Sequence, residues 1–230
     1  MNLLREYIRG IMEAEETELQ ATPEVHPESI IYCDMDGVLV DFQTSTIDLV
    51  NSLISGEPVP GIYPDKNYLR LLGKIKDELG PDFVVSSGAD LNLKPVRNFM
   101  FQVIGMDPGG FYVSLPPLKD GVNQLWPFIN GTGHTVKLLT AGVKSHSGIS
   151  TSEEGKKQWA MENLKPRPAE VIETMASQKS ESARAGDIPH ILIDDKGSTI
   201  QSWNDMGGIG ILHTPGGSSA TITRLRGLGL

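Results

Sequence analysis

Four short stretches of the chain read as buried strands: Ile30–Cys33, His134–Thr140, His190–Asp194 and Ile209–Leu212. The first and third are apolar or β-branched runs closed by aspartates, the pattern of strands covered on both faces. Between them the apolar spacing predicts helices over 44–55, 66–79, 94–104 and 122–129, a helix through Gly155–Leu164, and a short one after Ile200. Pro58, Pro60, Gly61 and Pro64 break the chain after the first helix, Gly131 to Gly133 end the fourth, and Gly207–Gly208 stop the last. Phe83–Ser87 also reads as a strand, ending in two hydroxyls before Gly88, and the polar run Ser177–Asp187 reads as a loop. Ahead of all this, Leu4, Ile8, Ile11 and Met12 suggest an amphipathic helix, followed by an acidic tract from Glu13 to Glu18. No internal repeat or low-complexity segment is present.

The chemistry concentrates where the strands end. Asp34 and Asp36 flank Met35 after the first strand and precede Gly37. In extended geometry alternate side chains share a face, so the two carboxylates point the same way. Anions that close repel unless a cation lies between them or one keeps a proton. Mg²⁺ suits such a pair, because it takes hard oxygen ligands and usually few carboxylates. Thr140 ends the second strand, where a hydroxyl and free backbone N–H groups can hold a phosphoryl oxygen. Ser86 and Ser87 are rivals for that role. Downstream, Lys156 and Lys157 open a helix, and either can neutralise a phosphate. Asp194 and Asp195 end the third strand, where adjacent side chains point to opposite faces and so are not expected to share one role.

The stretch Asp34-Met35-Asp36-Gly37-Val38-Leu39 resembles the first motif of the haloacid dehalogenase superfamily of phosphohydrolases. The resemblance implies that Asp34 is the nucleophile and Asp36 the general acid and base. It also implies that Thr140 and the N–H of Ala141 hold the phosphoryl group, and that Asp34, the Asp36 carbonyl and Asp194 hold Mg²⁺. Phe111 to Val122 is similar to the segment by which 5′(3′)-deoxyribonucleotidases return from their cap to the core. The same branch carries Lys-x-x-Trp where this chain has Lys156 and Trp159, which selects Lys156 over Lys157. It also has a lysine at the place of Lys144, an aromatic in the base pocket at the place of Phe42, and an acidic pair followed by a helix and a Gly-Gly-x-Gly-Ile strand. Asp195 is then expected to orient the lysine or hold the neighbouring loop on the substrate side. Two departures stand out: Ala141 replaces a serine, and the aromatic set of that branch's cap is not recognisable.

The implied fold is a Rossmann-like three-layer α/β/α sandwich with a mainly helical cap inserted after the first core strand. Residues 29–43 and 112–230 would form the core, 44–111 the cap, and 1–28 an appended helix and acidic linker. The implied activity is Mg²⁺-dependent phosphomonoester hydrolysis, with a nucleoside monophosphate as the expected small substrate. A 3′-phosphatase on nucleic-acid ends, a small-metabolite phosphatase, a phosphomutase and a non-catalytic phosphate-binding protein are the competing readings.

Composition narrows the partners. The chain has 230 residues, 39% hydrophobic, enough for one α/β domain with an insertion. A net charge of −9 argues against an extended nucleic-acid surface. Cys33 is the single cysteine, so no intramolecular disulfide can form, which suits a reducing cytoplasm. Arg5, Glu6 and Arg9 interrupt any apolar N-terminal core, so no signal peptide is expected, and no segment is apolar enough to span a membrane. A homodimer is left open.

Overall fold

A computed structural model describes residues 25–230 apart from 147 and 149. The amphipathic stretch around Leu4 to Met12 and its acidic tract lie outside the described residues. Five parallel strands form the main sheet in the order β3-β2-β1-β6-β7: β1 Ile31–Cys33, β2 Val136–Ala141, β3 Val171–Thr174, β6 Ile191–Asp194 and β7 Ile209–Leu212. A two-stranded antiparallel ribbon, β4 Arg184–Ala185 and β5 Ile188–Pro189, stands apart from it.

Alternation along the strands explains why they read as unbroken apolar runs. Ile31, Cys33, Leu138, Ile191, Ile193 and Ile211 face one side, where they meet Trp126, Trp159 and Leu225. Tyr32, Leu139 and Leu192 face the other, against Ala183, Ile200 and Trp203. The covering helices are α6 Trp126–Asn130, α7 Ser152–Asn163 and α9 Ser218–Gly227 on the first side, and α8 Gly197–Asp205 on the second. This is a three-layer α/β/α arrangement. The buried indoles are satisfied: Trp159 Nε1 donates to the Leu115 carbonyl at 2.8 Å and Trp203 Nε1 to the His190 carbonyl at 3.0 Å.

A second hydrophobic core lies in the helical segment after β1. It joins α1 Phe42–Ser55, α2 Lys66–Leu79 and α4 Lys94–Ile104 through Val50, Leu53, Leu71, Ile75, Phe99 and Val103, with Tyr68 and Phe99 rings 5.1 Å apart. The first helix starts at Phe42 rather than residue 44, because the Asp41 carboxylate accepts the Thr44 N–H at 3.0 Å and caps it. The chain returns through α5 Pro108–Ser114, which packs on α7.

Three expectations change. Phe83–Ser87 is not a strand: the Asn51 side chain takes both backbone groups of Val85, each at 2.9 Å, so nothing remains for a ladder. Ser87 instead caps the four-residue α3 Gly88–Leu91. The helix read over 122–129 is present, but its first half, Gly121–Leu125, is a π turn that runs directly into α6. The polar run 177–187 is not a loop but a 3₁₀ turn, Ala176–Ser182, followed by the β4–β5 ribbon. Among the described residues no helix is long and apolar enough to cross a membrane.

The α5–α7 contact depends on a close backbone approach. A Cβ on Gly155 would stand 2.4 Å from the Gly109 carbonyl oxygen. Gly155→Ala is therefore expected to force the helices apart and destabilise the fold by about 1–3 kcal/mol. Urea denaturation checks this, and an unchanged midpoint would contradict the close approach.

Candidate active site

Parallel strands bring their carboxyl ends to one edge, and the register decides which residues meet there. Cys33 pairs with Ile193 on one side and Leu138 on the other. The next residue of β1's chain, Asp34, therefore lies beside Asp194, and its N–H donates to the Ile193 carbonyl at 2.9 Å. The chain then turns tightly: the Gly37 N–H donates to the Val40 carbonyl at 3.0 Å, and Gly37 has φ 75°, a left-handed conformation suited to glycine. A Cβ at Gly37 would lie 2.2 Å from Asp195 Oδ2, so a side chain there would collide with the second acidic strand end.

Two buried lysines organise the acids. Lys156 is fully buried, and its three donors meet three acceptors: Thr140 Oγ1 at 2.6 Å, the Ala141 carbonyl at 2.5 Å and Asp36 Oδ2 at 3.1 Å. Its ammonium also lies 4.2 Å from the centre of the Tyr112 ring. Lys157 is exposed and pairs with Glu153 on its own helix, so the structure places Lys156, not Lys157, at the site. The second lysine is Lys179, which the sequence reading missed. Its amine lies 2.9 Å from Asp34 Oδ2 and 2.7 Å from Asp194 Oδ2, and only 2% of it is exposed. Nothing in the polar run around it marks it out. A signal did exist in the charge balance, since two buried acids at neighbouring strand ends call for a cation between them.

The remaining predicted residues are placed as follows. Thr140 is completely buried, with its hydroxyl engaged by Lys156. Ala141 contributes its carbonyl to the same amine. Phe42 lies edge-on to Phe111 at 5.8 Å and lines a cleft of about 610 Å³ that opens beside Asp36, Gly37 and Asp195. Lys144 is exposed in the loop after β2, and its side chain makes no bond to the acids among the described residues. The rival hydroxyls are engaged elsewhere: Ser86 Oγ donates to Asp90 Oδ2 at 2.8 Å, and Ser87 forms a capping box with Asp90. Asp195 corrects an expectation. Strand geometry ends at Asp194, so the alternation that would turn Asp195 to the opposite face no longer applies, and its carboxylate joins the others. Asp195 does not orient the lysine either: Lys156 pairs with Asp36, and Lys179 with Asp34 and Asp194.

Asp34, Asp194 and Asp195 each offer an oxygen within 4.8 Å of the others. The crowding shows in the protonation of Asp194 and Asp195. Burial, then the charge of Asp34, pushes Asp194 up to about 6 despite Lys179. Partial desolvation, then Asp34, Asp194 and Asp36, raises Asp195 to about 7, although the residue is exposed and solvent screens those charges. Burial also raises Asp36, against the pull of Lys156, and its Oδ1 is buried with no partner. For Lys179, burial opposes the charge, but the two carboxylates outweigh it and its pKa is raised. The clustered oxygens of Asp34, Asp194 and Asp195 form a hard-oxygen donor set that fits Mg²⁺.

A pH dependence follows from these shifts. Asp194, which is buried, has a folded pKa above its unfolded one, so the native state binds more protons between about 4 and 6. In EDTA, stability should therefore fall as the pH rises through that window and level off above it. Mg²⁺ should remove most of the fall. Melting temperatures from pH 4 to 8 test this, and a rise with pH in EDTA would contradict the crowding.

Neither a protein-family model nor a curated protein matches this sequence. Solved structures do. A haloacid dehalogenase-like family hydrolase from Xanthomonas campestris is 16% identical, with 88% of this chain and 92% of that chain covered and a TM-score of 0.48. A haloacid dehalogenase-like hydrolase from Streptococcus pneumoniae is 13% identical, covering 86% and 90%, with a TM-score of 0.45. A phosphonoacetaldehyde hydrolase-like protein from Oleispira antarctica is 12% identical, covering 90% and 79%, with a TM-score of 0.45.

Proposed function

We propose that the protein is a Mg²⁺-dependent phosphomonoester hydrolase of the haloacid dehalogenase type, working through a phosphoryl group carried on Asp34. One observation carries this reading: Asp34 and Asp194, distant in sequence, share Lys179 inside a carboxylate cluster that opens on a cleft.

The Asp34 carboxylate attacks phosphorus, an oxygen–phosphorus bond forms, and the bond to the leaving oxygen breaks. Asp36 gives its proton to that oxygen; its raised pKa favours the protonated form the step needs. The same carboxylate then takes a proton from the water that attacks phosphorus, releasing phosphate and restoring Asp34. Lys179 keeps the Asp34 oxygens aligned and balances their charge. Lys156 orients Asp36 and ties it to Thr140 and the end of β2. Asp34, the Asp36 carbonyl, Asp194 and Asp195 would hold Mg²⁺, which neutralises charge on the phosphoryl oxygens when bound. The helical segment carrying the second core forms the far wall of the cleft and shields the reacting group from bulk water.

Nucleoside monophosphates are the proposed substrates. The support is the resemblance around Phe111–Val122 and Lys156-x-x-Trp159, together with the position of Phe42 on the cleft wall. The test is Mg²⁺-dependent phosphate release across dUMP, dTMP, sugar phosphates and a 3′-phosphorylated oligonucleotide. Release from the nucleotides supports the reading, release from the oligonucleotide alone replaces the substrate, and no release from any ester overturns the activity.

A further inference from the structure

The cleft holds a charge that the chemistry at Asp34 does not use. Its floor is Asp36, Gly37 and Asp195, and its far wall includes Asn92, Arg97 and Phe101 from the helical segment. Arg97 is the one cation among the described residues that line it. Of the acids there, Asp36 pairs with Lys156 at 3.1 Å and Asp41 caps the first turn of α1, and none pairs with Arg97 among the described residues. Arg97 is exposed, and its guanidinium makes no hydrogen bond or ion pair among the described residues. It does not serve its own helix either. It stands near the start of α4, whose first turn has no acid and whose N-cap makes no side-chain bond, and a cation near that end opposes the helix dipole. A guanidinium keeps its charge and presents a planar fork of donors, which matches a carboxylate or phosphate two bonds at a time.

We infer that Arg97 reads a second anionic group, a carboxylate or a second phosphate, on the leaving-group side of the substrate. The inference rests on the phosphohydrolase reading and, where it holds, moves the preferred substrate from nucleoside monophosphates to esters with a second anionic group. The esters it selects carry two anionic ends, one phosphoryl group at Asp34 and one anion at Arg97. Nucleotides phosphorylated at two sugar positions meet this requirement, and so do small phosphorylated acids. The cleft of about 610 Å³ is of a size that takes such molecules.

Matched pairs test it. Adenosine 3′,5′-bisphosphate against AMP isolates the second phosphate; 3-phosphoglycerate against glycerol 3-phosphate isolates the carboxylate. With Mg²⁺, the wild type should show about 10-fold or higher kcat/KM for the doubly anionic member of at least one pair. Arg97→Ala should bring that ratio close to 1, and Arg97→Lys should restore only part of it. The same ratios are read in equilibrium binding to Asp34→Asn by calorimetry. No preference in either pair, or a preference unchanged in Arg97→Ala, overturns the inference. Turnover of p-nitrophenyl phosphate without any preference leaves the phosphohydrolase reading standing and removes only the role of Arg97. Absence of all turnover removes that reading, and the calorimetric ratios then decide for Arg97 alone.

Discussion

Asp34→Asn should lower ester hydrolysis by about 10⁴-fold or more while leaving the fold intact. The amide keeps the shape of the side chain but cannot attack phosphorus. Its carbonyl oxygen can still accept the Met35 N–H, which Asp34 Oδ1 takes at 2.7 Å. Lys179 retains Asp194 at 2.7 Å, so the buried amine is not stranded. The substitution also has an electrostatic signature. The charge of Asp34 is the leading neighbour effect raising both Asp194 and Asp195, so its removal should lower both pKa values and flatten the loss of stability with rising pH in EDTA. Steady-state kinetics with circular dichroism and melts at pH 5 and 8 read all of this. Near-normal turnover in the variant would contradict the mechanism.

The second large effect is expected at Lys179. Replacing it by Met removes the cation shared by Asp34 and Asp194, both buried. Breaking such an arrangement by deleting one partner costs about 3–5 kcal/mol, because the remaining charges stay desolvated. The loss should be larger at pH 8 than at pH 5, since the stranded carboxylates can take up protons at the lower pH. Mg²⁺ should restore part of the stability, by supplying the missing positive charge to the same oxygens. Activity should stay low even then, because the Asp34 oxygens lose the donor that aligns them. Urea denaturation at the two pH values, with and without Mg²⁺, separates these effects. Equal stability of variant and wild type at pH 8 would show that Lys179 does not balance the acids.

The contrast between the two lysines shows what a sequence can reveal here. Lys156 sits one turn before a tryptophan on a helix, and the Lys-x-x-Trp spacing singles it out. Lys179 lies in a polar run with no periodicity, and its burial arises only when a 3₁₀ turn folds over the sheet edge near α8. The β1 and β6 segments are legible because strands buried on both faces are apolar at every position, so the acids that end them stand out. Helices Lys66–Leu79 and Lys94–Ile104 are legible because their apolar positions recur at helical spacing. Phe83–Ser87 misleads for a reason local pattern cannot show: a side chain from a distant helix, Asn51, takes the backbone groups a neighbouring strand would need. Asp195 misleads because strand alternation stops at Asp194, so its carboxylate is not held to the opposite face and joins the cluster.

The account turns on Asp34 forming a covalent bond to phosphorus, and rapid acid quenching tests that bond directly. Enzyme mixed with a ³²P-labelled phosphomonoester and Mg²⁺, quenched within a turnover and digested, should carry acid-stable, hydroxylamine-labile label on the peptide containing Asp34. The label should be absent in Asp34→Asn and should build up in Asp36→Asn when the leaving group needs no proton. Full turnover with no labelled peptide at any quench time, together with retained activity in Asp34→Asn, would contradict the account.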